Sequence, residues 1–139
     1  MFRTEIKYKN FLDVDVTETL RFNLRDDELL DLVKEDSMFD VGYLAYLTQE
    51  RDYQKMLKFI RKLITVSYGE MTEDGRSFRK SKEIAQDFMQ SNAYIAFRDR
   101  LLSDESGNLF AKFVMETLPS SFAAAIKEKI DNSNLTVVK

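Results

Sequence analysis

Residues 51–80 read RDYQKMLKFIRKLITVSYGEMTEDGRSFRK. Tyr53, Met56, Leu57, Ile60, Leu63 and Ile64 recur at the i, i+3, i+4, i+7 spacing of one helical face. Arg51, Lys55, Lys58, Arg61 and Lys62 fall on or near the opposite side. The stretch predicts a long amphipathic helix that buries one stripe and solvates the other. Thr48 is assigned as its N-cap, because a hydroxyl accepts an orphan backbone N–H. The pattern stops at Tyr68-Gly69-Glu70, and Glu73-Asp74-Gly75-Arg76 follows. The two glycines suit the left-handed backbone of a helix end and a turn.

Upstream, Phe2, Thr4, Ile6 and Tyr8 alternate with Arg3, Glu5, Lys7 and Lys9, and Val16, Glu18, Leu20 and Phe22 alternate with Thr17, Thr19 and Arg21. A period of two on both sides of a polar interruption predicts a β-hairpin. Phe11 and Leu12 sit in its turn and are expected to fold back onto the core. A helix follows over 24–35, with Asp26, Asp27 and Glu28 in its first turn and Leu29, Leu30, Leu32 and Val33 as its apolar side. Tyr43, Leu44, Tyr46 and Leu47 predict a short helical turn. Downstream, Ser81 is an expected N-cap, Ser91-Asn92 a joint, residues 103–108 a polar break and Pro119 a helix end. A last helix is expected over 122–130. The fold class is α+β, mainly α-helical: an N-terminal β-hairpin packed on a bundle of short helices around one long central helix. One domain is expected over residues 1–130, hairpin over 1–24 and helical over 25–130, with a flexible C-terminal tail over 131–139.

The 139 residues include no cysteine and no histidine, which excludes disulfides, thiolate or imidazole zinc sites, and nucleophilic machinery that needs an imidazole base. A net charge of −3 argues against a polycation that binds nucleic acid by counterion release. No segment approaches the roughly 20 apolar residues of a membrane span. The first residues, Met1-Phe2-Arg3-Thr4-Glu5, lack a secretory signal's apolar stretch, so the protein is expected to stay where it is made.

Glu70, Glu73 and Asp74 are the nearest thing to a hard-cation cluster, but their spacing is not that of a calcium loop, and a solvated loop is the better reading. Arg76, Arg79, Lys80 and Lys82 form a basic run around Phe78 that Glu73, Asp74 and Glu83 dilute. Phe78 is expected to anchor the loop to the core. Phe88, Tyr94, Phe97, Phe110 and Phe113 are numerous for so small a segment. Most are expected in the core, yet with eleven Phe and six Met in the chain some apolar surface is expected to remain for a partner, and this aromatic helical half, Phe88 to Phe113, is the expected contact.

Three stretches together resemble the tail assembly chaperones of long, flexible-tailed bacteriophages, in the short form. They are Thr17-Glu18-Thr19-Leu20-Arg21-Phe22-Asn23-Leu24 with Glu28-Leu29-Leu30; Tyr68, Gly69, Glu70, Glu73, Asp74, Gly75, Arg76, Phe78 and Lys80; and Phe88, Ser91, Ala93-Tyr94, Ala111, Phe113-Val114 and Pro119. The second is the most specific. The chain departs from the family pattern at Arg25, where a serine or threonine often opens the first helix, and at residues 103–108, where the joint is often acidic and alanine-rich. The resemblance implies a non-enzymatic protein without cofactor, in the host bacterial cytoplasm and absent from the mature virion. It implies binding to the tape measure protein and recruitment of the tail tube protein, which a longer frameshifted form often assists. A homo-oligomer, formed through the hairpin's exposed strand edge, is the alternative contact. A connector subunit retained in the particle is the alternative function.

Overall fold

The computed structural model describes residues 1–138. Its elements run β1 (Phe2–Lys9), β2 (Asp15–Phe22), α1 (Asp26–Glu35), α2 (Val41–Gln49), α3 (Tyr53–Ser67), β3 (Glu70–Met71), β4 (Phe78–Arg79), α4 (Lys82–Met89), α5 (Asn92–Ser103), α6 (Asn108–Thr117) and α7 (Ser120–Val138). The fold is α+β and mainly helical, as the periodicities predict. β1 and β2 pair antiparallel from Phe2↔Phe22 to Lys9↔Asp15. Their even-numbered side chains face inward, and Phe2, Ile6, Leu20 and Phe22 are buried.

The hairpin tip departs from expectation. Asp13 N donates to Asn10 O and Asn10 N to Val14 O, which closes a three-residue loop with Asp13 at φ 61°. This is a tight turn followed by one left-handed residue. The Asn10 side chain accepts from Leu12 N at 2.9 Å and Val14 N at 3.1 Å, which fixes the turn further. Phe11 and Leu12 occupy its outer corner and are 77% and 82% exposed, not folded back onto the core. Short-range backbone geometry overrides the pull of burial here.

α3 buries Met56, Phe59, Ile60, Leu63 and Ile64. Its cap is Asp52, which accepts from Lys55 N, and not Thr48. Thr48 lies inside α2 and donates its hydroxyl to Ala45 O. α2 is a full nine-residue helix rather than a short turn, because Asp40 caps it by accepting from Tyr43 N at 2.9 Å. Tyr53 leaves the expected stripe for solvent, with the Arg51 guanidinium 5.4 Å from its ring centroid. Phe59, absent from that stripe, packs inside against Phe39.

The core gathers around Phe22. Its ring stacks on Phe97 with centroids 5.1 Å apart and meets Phe113 edge-on at 5.0 Å. Phe2 joins Phe113 at 5.3 Å, so the hairpin's inner face is pinned to α5 and α6. Such geometries add about 1 kcal/mol per pair beyond area burial. α7 packs along α2 and runs to Val138, beyond the end expected at Ile130.

Candidate partner-binding surface

The glycine-containing loop after α3 is built as a clasp. Tyr68 stacks on Phe88 with centroids 4.2 Å apart and meets Phe22 edge-on. Burial, followed by the charges of Glu18, Glu70 and Asp87, pushes the Tyr68 phenol up to about 12. At Gly69 a β-carbon would lie 2.6 Å from Arg79 O and 2.7 Å from the Phe78 ring, so only glycine lets β3 and β4 close. Gly75 has φ +72° at the turn. Asp74 accepts from the Thr72 hydroxyl at 2.7 Å and from Arg76 N at 3.1 Å, contacts that hold its carboxyl below the usual range. Glu70, Glu73 and Arg76 are exposed. No group of three or more potential metal-ligating side chains forms among the described residues.

Lys80 completes the clasp. Its ammonium donates to Asn23 O at 2.9 Å, Glu28 Oε1 at 2.7 Å and Val66 O at 3.1 Å, joining the hairpin's exit, α1 and α3. Glu28 also accepts from Arg25 N, which caps α1 where a hydroxyl is missing. Phe78 is half-buried with its ring over Gly69, and Tyr68 and Lys80 are half-buried as well. Of the residues that carry the family resemblance, Phe22, Glu28, Tyr68, Gly69, Phe78, Lys80 and Phe88 thus meet in this clasp and hold structure together.

The aromatic set expected to touch a partner is not at the surface. Phe88, Tyr94, Phe97, Phe110 and Phe113 are 3%, 5%, 1%, 1% and 0% exposed. Their helical spacing reflects a core, and the rings of Phe88, Tyr94, Phe97 and Phe113 meet one another or those of the hairpin.

The exposed apolar side chains lie elsewhere. Phe11, Leu12 and Val14 form the convex hairpin tip. Leu30 and Val33 on α1 are 66% and 46% exposed and line a groove with Leu29, Phe122 and Ala125. Asp26 stands in the groove wall, and Asp27 and Asp31 are exposed on the same helix. The sequence carried a signal for this groove. Apolar residues at 29, 30, 32 and 33 span too wide an arc for one neighbouring helix to cover.

A family model described as phage tail assembly chaperone matches residues 1–138. No curated protein and no solved structure matches the chain.

Proposed function

This chain belongs to the phage tail assembly chaperone family, and we propose that it binds the tape measure protein and helps recruit the tail tube protein during tail assembly. It acts by covering surface, without catalysis or cofactor, in the host cytoplasm, and it leaves before the virion is complete. A longer frameshifted form assists the tube step. The observation that carries this reading is the groove between α1 and α7. A helix with an apolar stripe, left uncovered in water, aggregates through that stripe. Leu30, Val33, Phe122 and Ala125 offer a concave apolar seat for one such face, the helix-in-groove mode. Asp26, in the groove wall, favours a tape measure helix with a basic residue beside its stripe. The acidic balance of the chain keeps a many-copy complex in solution.

The test is co-expression with the tape measure protein, comparing the natural chain with the double variant Leu30→Asp, Val33→Asp. The natural chain is expected to keep the tape measure soluble and to co-purify with it. The variant is expected to fold normally and to lose the complex. Equal binding by both would remove the groove from the reading, and recovery of the chain from purified particles would favour a connector.

A further inference from the structure

We infer that Asp74–Gly75 is the chain's site of spontaneous isoaspartate formation, and that Thr72 holds the reaction back for as long as the β3–β4 turn is closed. This does not rest on the tape measure reading, and it concerns the chain alone.

The turn itself demands the labile pair. Gly75 has φ +72°, a left-handed position that glycine takes at no steric cost. Asp74 precedes it and turns the chain by accepting from Arg76 N at 3.1 Å. Asp74–Gly75 is the one Asp–Gly step in the sequence, and the sequence has no Asn–Gly step. Both residues are exposed, so water reaches them, and glycine puts no side chain in the way of its own nitrogen.

The reaction is an attack by the Gly75 backbone nitrogen on the Asp74 side-chain carbon Cγ. A bond forms between N and Cγ, the nitrogen gives up its proton, and the hydroxyl of the protonated acid leaves with that proton as water. Water then opens the five-membered imide. Addition at Cγ restores aspartate. Addition at the Asp74 main-chain carbonyl breaks the original peptide bond and routes the chain through the side chain. The water lost is regained, so the product is an isomer of equal mass with one more carbon along its backbone.

Thr72 opposes both halves of the attack. Its carbonyl accepts from Gly75 N at 2.9 Å, which occupies the N–H that must be given up. Its hydroxyl donates to Asp74 Oδ1 at 2.7 Å, and with Arg76 N this contact favours the ionised carboxylate, which lacks the hydroxyl that has to leave. The same hydroxyl accepts from Ser77 N at 3.0 Å, and Thr72 N donates to Ser77 O at 2.9 Å, so Thr72 is tied to the far side of the turn. The attack therefore draws on the population in which the turn has opened. An isoaspartyl link lengthens the path between Thr72 and Ser77, so it leaves a lasting mark on chains that have opened.

The test ages the full-length natural chain, Thr72→Val and Thr72→Ser in warm neutral buffer, with the natural chain in guanidinium chloride as the open reference. Isoaspartate is counted by enzymatic methyl transfer to it and located by separating the peptide that spans Asp74 from its equal-mass isomer. The folded natural chain is expected to isomerise at least about tenfold more slowly than the denatured one. Thr72→Val is expected to isomerise at least about threefold faster than the natural chain at unchanged circular dichroism, and Thr72→Ser, which keeps the hydroxyl, to match the natural chain. Hydrogen exchange at the Gly75 amide reads the same opening without any substitution, and that amide is expected to be protected. Equal rates in the folded and denatured natural chain, a folded Thr72→Val that isomerises no faster, an unprotected Gly75 amide, or isoaspartate that accumulates first at another aspartate would overturn the inference.

Discussion

At the scale of single residues, the strongest constraints are steric. Adding a methyl at Gly69 drives it into the Arg79 carbonyl and the Phe78 ring, and Gly69→Ala is expected to cost about 2 kcal/mol, read as a lowered melting temperature. Gly75→Ala meets no neighbour and carries only the backbone strain of φ +72°, about 1 kcal/mol. Phe97 is 1% exposed, so Phe97→Ala is expected to lose about 4 kcal/mol, and Phe97→Asp to abolish the fold rather than a partner contact. Tyr68 makes a pH-dependent contribution. Its folded phenol holds the proton more tightly than the unfolded phenol, whose ordinary value is 10.0. The stability it confers is full below that value and is lost as pH rises from about 10 toward about 12. Tyr68→Phe is expected to flatten the fall in melting temperature over that alkaline range.

At the scale of elements, the sequence was most legible where a period was clear. The alternation from Phe2 to Phe22 and the 3.6-residue stripe of α3 gave the hairpin and the central helix, and Ser81, Ser91 and Pro119 marked real boundaries. Caps were less legible where two polar residues competed: Thr48 and Asp52 both offer oxygen, and only packing shows that α2 absorbs the first. The candidate surface was the least legible part. Surplus aromatic residues at helical spacing look the same in a one-dimensional pattern whether they line a core or a binding face. The hairpin resolved the ambiguity, because Phe2 and Phe22 insert among them. The tip misled for the opposite reason, since apolar type suggests burial while Asn10 and Asp13 dictate a turn that points outward. Asn10→Ala is therefore expected to lower stability by about 1 kcal/mol, whereas Phe11→Ser is expected to change it by less than about 0.5 kcal/mol. Chemical denaturation of the two variants tests that ordering. Lys80→Ala severs the links among the hairpin exit, α1 and α3, with an expected cost of about 2 kcal/mol.

At the scale of the molecule, a core of interlocked rings and a clasp around Lys80 leave apolar side chains outside, among them those of a convex tip and a concave groove. The residues that carry the family resemblance build the scaffold around Lys80 and also reach the groove, where Leu29 and Leu30 lie. The groove is the concave apolar seat that the proposed function uses for a helix, with Asp26 in its wall. The measurement that tests this most directly is the soluble yield and co-purification of the tape measure protein, expressed with the natural chain, with Leu30→Asp, Val33→Asp, and with Phe11→Ser, Leu12→Ser. The expected result is a soluble complex with the natural chain and the tip variant, and an insoluble tape measure beside a folded groove variant. A soluble complex with the groove variant, or an insoluble tape measure beside the natural chain, would contradict it.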